Sequence, residues 1–256
     1  MEGKNLEQLF AEYLQTVRRL RRECPWDREQ THQSIRHSLI EETYEVIEAI
    51  DHRDMAELRR ELGDLMLHIA LHSVIAEESG SFSMEGVLSG SLEKIIRRHP
   101  HVFGSATVSS VSEIRKNWER IKLQEGRTSV VDGVPKELPS LLRAERVQEK
   151  ASKVGFDWKH KSDVWKKVDE EISELKEAEE RRDRSSVEEE FGDLLFALVN
   201  YGRFLGVNPE IALRHAVDKF LGRFKAMESN LKQRGKDVHD ATLEEMDQLW
   251  DEGKLP

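Results

Sequence analysis

EETYEVIEAIDHRDMAELRRELGDL, from Glu41 to Leu65, and EEISELKEAEERRDRSSVEEEFGDL, from Glu170 to Leu194, decide the fold of this chain. Adding 129 to Glu41, Glu42, Glu45, Glu48, Ala49, Arg53, Asp54, Glu61, Gly63, Asp64 and Leu65 lands on an identical residue every time, without a gap. Such self-similarity marks a duplicated structural unit. Further on, Lys94 and Arg98 find counterparts in Lys219 and Arg223, with the offset shortened to 125.

Outward from these stretches, apolar residues recur at helical spacing in LEQLFAEYLQTVRRL, SLIEETYEVIEAI and ELGDLMLHIALHSVIA. Cap residues fit that reading: Asn5, Thr31, Asp54 and Ser83 each precede a periodic run, Asn208-Pro209 opens another, and Thr242 with Glu245 makes a capping box. No strand alternation competes. Periodicity lapses from Glu125 to Pro139, where Gly126, Gly133, Pro135 and Pro139 resist helix continuation. The expected architecture is all-α, with tandem helical-bundle repeats over residues 1–124 and 140–256 joined by a linker at 125–139.

Each repeat carries E-E-x-x-E and, further on, E-[LF]-G-D-L. Residues three apart share a helix face, so Glu42 pairs with Glu45 and Glu61 with Asp64. Both the 45/61 and the 42/64 midpoints fall on Arg53. A turn at His52-Arg53-Asp54 therefore makes two antiparallel helices whose carboxylates converge in one layer. Glu171, Glu174, Glu190 and Asp193 do the same about Arg182. Converging carboxylates repel unless cations neutralise them, and an all-oxygen donor set suits Mg²⁺, Mn²⁺ or Ca²⁺. The bland alternative, a solvated acidic helix face, is weakened by the repetition and by the setting. Leu62, Leu65, Met66, Leu67 and Ile69 make the helix apolar nearly all round, which predicts burial. Gly63 and Gly192, each disfavoured in a helix by ~1 kcal/mol, predict close helix contact.

Other chemistries fit less well. Helix-bundle iron sites place a His three residues after a Glu; here those positions are Asp64 and Asp193, and His68, four after Asp64, has Ala197 as its repeat counterpart. The chain has no P-loop, dinucleotide fingerprint or nucleophilic Ser or Cys arrangement. A net charge of −10 disfavours long nucleic acid. Cys24 is the only cysteine, excluding an intrachain disulfide, and no stretch of ~20 apolar residues could span a membrane. The N-terminal stretch lacks a signal-peptide core, and a cytoplasmic protein is expected. Lys94 with Arg98 and Lys219 with Arg223, each pair one helical turn apart, can contact phosphate oxygens or simply be surface cations. Trp250 can stack on a base or cover the core. The run from Arg97 to His101 is a dense cationic turn.

With CPWD at Cys24–Asp27, RRHPHVFG at Arg97–Gly104 and GFDW at Gly155–Trp158, these motifs resemble the MazG family across essentially the whole chain. The resemblance implies an all-α, dimeric, Mg²⁺-dependent enzyme, with Mn²⁺ a possible substitute, that hydrolyses nucleoside triphosphates to monophosphate and pyrophosphate. It makes Glu171, Glu174, Glu190 and Asp193 metal ligands, and Lys167, Glu170, Lys219, Arg223 and Trp250 nucleotide contacts. The N-terminal equivalents are Glu42, Glu45, Glu61 and Asp64, with Glu41, Lys94, Arg97 and Arg98 nearby. Glu41 and Glu170, each beside a ligand, are the candidates to orient the attacking water. One departure is that Lys167 maps to Ser38, so the N-terminal copy lacks that cation. The rival expectation is a non-catalytic helical dimer that senses nucleotide.

Overall fold

A computed structural model describes residues 3–110, 113–114, 117–118, 120–121, 125 and 128–253. Among them all regular structure is helical, so the chain is all-α. Two compact units divide after Thr107. The first holds α1 (Leu6–Glu23), α2 (Pro25–Glu29), α3 (Arg36–Asp51), α4 (Met55–Glu78), α5 (Met84–Arg98) and the short α6 (Pro100–Phe103). The second holds α7 (Ser140–Lys153), α8 (Lys161–Arg181), α9 (Arg184–Leu205), α10 (Pro209–Gln233), a 3-10 turn at Val238–Asp240 and α11 (Leu243–Glu252). Part of the 125–139 segment, including Gly126, lies outside the described residues. The described part from Val130 to Asp132 is tied to α7, because buried Lys150 donates to the carbonyls of Val130 (3.3 Å) and Asp132 (3.0 Å).

The repeated stretches form helical hairpins, α3–α4 and α8–α9, each turning on one residue. Arg53 and Arg182 have φ of 57° and 56°, the only non-glycine residues with positive φ among those described. That left-handed conformation disfavours a side-chain-bearing residue by ~1 kcal/mol, and here it ends the helix. Arg53 N–H bonds Ile50 C=O at 3.1 Å and Asp54 N–H bonds Ala49 C=O at 2.9 Å, the paired bonds of a Schellman end. Asp54 at once begins α4, its carboxylate accepting from the N–H groups of Ala56 and Glu57, both at 3.0 Å. Asp183 repeats this for α9 by accepting from Ser185 N–H at 3.1 Å.

The expected caps at Asn5, Asp54, Ser83, Asn208 and Thr242 are all formed. Thr31 is different. Its hydroxyl accepts from Ser34 N–H at 3.1 Å and closes a turn, while α3 starts five residues later behind Ile35, which has no side chain able to cap it.

In the first unit Phe10, Tyr13, Leu14 and Val17, spaced along one face of α1, pack with Ala70, Leu71 and Val74 of α4, Ile35 and Met84. In the second, Met227 and Leu231 of α10 pack with Leu249 of α11, and Val164 and Val168 of α8 are fully buried. The outer face of α4 departs from expectation. Leu62, Met66 and Ile69 are 51%, 47% and 50% exposed, and a Cβ added at Gly63 or Gly192 would meet no atom within 4 Å. Among the described residues neither the burial nor the close helix contact is present; the α4 residues in the core of the unit are Ala70, Leu71 and Val74, in the C-terminal half of the helix.

Arg21 locks α1, α2 and α4 together. It is 8% exposed and donates to both Glu78 carboxylate oxygens (2.8 and 2.9 Å), to Gln30 C=O (2.9 Å) and to Asp27 C=O. The Arg21 hydrogen bond holds the Glu78 carboxyl below its ordinary range. A lowered folded-state pKa gives stability that is complete above the unfolded pKa and lost as pH falls through the folded one. Arg21→Met should therefore lower stability by about 2 kcal/mol near neutral pH. In paired thermal melts its deficit against the parent should shrink from about pH 6 to about pH 3.

Candidate functional site

Each hairpin brings carboxylates from both its helices together. Glu42 and Glu45 of α3 meet Glu61 of α4, and Glu171 and Glu174 of α8 meet Glu190 of α9; in each trio the oxygens lie within 4.8 Å of one another. The turn at a single residue places the pairs at one height. Asp64 and Asp193, one turn beyond Glu61 and Glu190, stand outside the trios in these side-chain positions. Asp64 still acts on the site, since its charge helps to raise the Glu42 pKa.

The deepest carboxylate differs between copies. Glu61 is 2% exposed and bonds Arg60 at 2.7 Å. Glu171 is 5% exposed and pairs with Lys167 at 2.8 Å. Lys167 also donates to Glu170 at 2.7 Å, and these two bonds push its pKa up. Burial raises the Glu42 carboxyl, and repulsion from Glu45, Asp64 and Glu61 adds to it. Burial likewise raises Glu174, with Glu171 and Glu190 pushing the same way and Lys167 opposing. Burial is also the main cause of the raised Glu61 pKa. Clustered, partly buried carboxylates held above their normal range are what a hard divalent cation would relieve, so the donor set fits Mg²⁺ or Mn²⁺.

The candidate phosphate contacts lie on neighbouring elements. Lys94, Arg97 and Arg98 are at the end of α5, where His99 caps the helix and its Nδ1 lies 2.6 Å from Ile95 C=O. Lys219 and Arg223 are on α10, and Trp250 is on α11. Lys94, Lys219 and Arg223 make no ion pair with a trio carboxylate among the described residues. Trp250 is half-buried against Phe220 (5.1 Å between ring centroids), with the Arg223 guanidinium 5.9 Å from its ring centre. Leu249, not Trp250, enters the core. Glu41 is exposed, and Glu170 is held by Lys167.

Sequence reasoning passed over two neighbours of the trios. A cleft of about 510 Å³ beside Lys167 and Glu170 is lined by Trp158, His160, Asp163 and Lys166; the GFDW motif was its only signal. Asp157 of that motif pairs with Arg203 of α9 (2.9 Å), which anchors the loop. The other neighbour is His68, whose Nε2 lies 3.9 Å from Glu42 Oε1. Burial, its largest influence, lowers the His68 pKa, with His37 acting the same way and Asp64 opposing. Its spacing four after Asp64 was legible, but the Ala197 counterpart hid its place.

Comparison with known proteins follows the same repeat. The MazG nucleotide pyrophosphohydrolase domain is matched twice, at residues 30–103 and 160–227. Both matches contain a trio, whereas Trp250 falls outside them. The nucleoside triphosphate pyrophosphohydrolase/pyrophosphatase MazG of Thermotoga maritima is 45% identical over 251 residues, covering 96% of both chains. The nucleoside triphosphate pyrophosphohydrolase of Escherichia coli K12 is 41% identical over 237 residues, covering 90% of both. YabN of Bacillus subtilis, an uncharacterized protein, is 45% identical over 99% of this chain and 53% of its own length. With both carboxylate hairpins inside matched domains and near end-to-end similarity to two such enzymes, the chain belongs to the MazG nucleotide pyrophosphohydrolase family, a family of hydrolases.

Proposed function

We propose that this chain hydrolyses nucleoside triphosphates to nucleoside monophosphate and pyrophosphate, with Mg²⁺ or Mn²⁺ bound at each carboxylate trio. The observation that carries the reading is the trio itself, formed twice by the same hairpin from residues of both its helices. Glu42, Glu45, Glu61 and Asp64 would hold the cation in one copy; Glu171, Glu174, Glu190 and Asp193 would hold it in the other. Bound there, the cation would neutralise charge on the leaving pyrophosphate and lower the pKa of the attacking water. Lys219 and Arg223, or Lys94, Arg97 and Arg98, would bind phosphate oxygens from the other side. Lys167 already neutralises Glu171 and would turn toward phosphate as a cation takes over that role. Glu170 and Glu41, each next in sequence to a trio carboxylate, would orient the attacking water. Trp250 offers a base-tolerant stacking face, in keeping with broad nucleotide-pool housecleaning in the cytoplasm, where nucleoside triphosphates are held. No described helix is long and apolar enough to cross a membrane.

Cleavage should fall between the α and β phosphates. Incubating the protein with each nucleoside triphosphate and Mg²⁺, then assaying pyrophosphate and orthophosphate separately, decides it. Monophosphate with pyrophosphate is the expected result. Diphosphate with orthophosphate would overturn the reading, and no product at all would favour a nucleotide sensor.

Substitution separates the copies. Glu→Gln keeps shape while removing charge, so Glu174→Gln with Glu190→Gln should weaken Mg²⁺ binding more than about tenfold. The metal-free fold should stay intact or gain slightly, because repulsion is relieved. Glu45→Gln with Glu61→Gln tests the other copy, and the larger activity loss is expected at the copy with Lys167. Turnover untouched in the combined quadruple variant would remove the trios from catalysis.

A homodimer belongs to the same proposal. Leu62, Met66 and Ile69 of α4, and Phe191, Leu195 and Leu198 of α9, leave apolar faces 40–54% exposed. Leu62, Gly63 and Met66 line a shallow apolar depression of about 360 Å³. Light scattering at micromolar concentration should give twice the chain mass of 29.7 kDa. A fully active monomer would count against the pairing.

A further inference from the structure

The cleft beside Lys167 is built by an extra turn of helix. α3 begins at Arg36, which the repeat offset carries to 165, whereas α8 begins at Lys161, four residues and about one turn sooner. In the first copy that stretch is instead the closed turn held by Thr31 and Ser34. In the second, Asp163, Lys166, Lys167 and Glu170 follow one another at helical spacing and form one wall of the cleft of about 510 Å³. The other wall is the loop with Trp158 and His160. That loop is fixed at both ends. The N–H groups of Gly155 and Phe156 close onto the carbonyls of Ser152 (3.0 Å) and Ala151 (3.2 Å), ending α7. The Asp157 carboxylate pairs with Arg203 at 2.9 Å and accepts from Trp158 N–H at 2.9 Å. Trp158 is thus held in place, yet 45% exposed. Trp165 packs on Tyr201 and Trp250 on Phe220, but among the described residues no ring or guanidinium covers Trp158. Charge on the helix wall is already matched, Asp163 with Lys166 at 3.0 Å and Glu170 with Lys167 at 2.7 Å. An open aromatic face beside internally paired charges suits a flat, uncharged ring better than a phosphate. The volume falls within the ~300–1,000 Å³ of small-molecule pockets.

We infer that this cleft receives the nucleobase of the substrate in the second copy, stacked on Trp158. Lys167 joins the cleft to the carboxylates, since the same ammonium that lines it reaches Glu171 at 2.8 Å. A nucleotide seated there passes its phosphates along Lys167 toward Glu171, Glu174 and Glu190. Trp158 then sets the affinity for nucleotides over base-free polyphosphates. The inference rests on reading the second trio as a nucleoside triphosphate site, and it adds Trp158 as a stacking face besides Trp250.

The test uses the full chain with Glu45→Gln and Glu61→Gln, so that binding reports on the second copy. Two probes are titrated by calorimetry with Mg²⁺ present, and circular dichroism verifies the fold. One is α,β-methylene-ATP, which cannot be cleaved between the α and β phosphates; the other is inorganic tripolyphosphate, which has the phosphates without the base. Trp158→Ala should weaken the nucleotide analogue at least ~10-fold while tripolyphosphate stays within ~2-fold. Trp158→Phe keeps an aromatic face and should recover most of that loss. Unchanged analogue affinity in Trp158→Ala would overturn the inference and leave the base to Trp250. An equal loss for tripolyphosphate, the mark of a collapsed loop, would overturn it as well. So would a parent that binds the analogue no more tightly than tripolyphosphate. Because the readout is binding, failure to cleave nucleoside triphosphates would remove the hydrolytic reading and leave this result standing.

Discussion

Mutual repulsion among carboxylates is the constraint around which both halves of this chain are organised. Two unit charges 4 Å apart interact by about 1 kcal/mol in water and by several at the lower effective dielectric of a protein surface. Each hairpin nevertheless holds three carboxylates within 4.8 Å of one another. Nearby cations offset part of the cost: Arg60 at Glu61, Lys167 at Glu171. Burial, with repulsion from neighbouring carboxylates added to it, raises the pKa of Glu42, Glu61 and Glu174. Two equal sets of like charges are what an external positive charge would relieve, which is the physical basis of the cation sites proposed above.

Duplication gives the protein two versions of one site, and their differences are local. In the second copy Lys167 sits beside the deepest carboxylate, where the first has Ser38. In the first, His68 occupies the place that Ala197 leaves empty of any donor. One copy thus carries an extra cation and the other an extra neutral base, on the same hairpin. These changes alter the surroundings of the carboxylates, whose spacing along the sequence is the same in both copies.

Much of this was legible in sequence because it depends on spacing. The constant offset of 129, the midpoint at Arg53 and the cap residues of most helices are properties of the chain's own periodicity. What could not be read depends on what lies across a gap. Leu62, Met66 and Ile69 made α4 look buried, yet periodicity does not say whether the covering surface belongs to the same chain. Thr31 had a capping side chain but closes a turn instead, because the helix begins beyond its reach. Asp64 shares a face with Glu61, but sharing a face does not fix where the side chain settles once Glu42 and Glu45 are near. His68 was visible and set aside, since comparison between repeats rewards what they share and hides what one of them has gained.

The one-residue turns at Arg53 and Arg182 have a consequence for how the family can change. Arg53 ends α3 and Asp54 already caps α4, so the connection has no slack. Inserting or deleting one residue there would swing every later side chain of α4 by ~100° about the helix axis and carry Glu61 away from Glu42 and Glu45. A change of length in either hairpin would take its trio apart, which a substitution between the carboxylates need not do. In this chain the segment between the two hairpins, near Gly133 and Pro135, is where a change of length would leave both untouched. The spacing between E-E-x-x-E and E-[LF]-G-D-L, more than the identity of the residues between them, is what keeps each trio together.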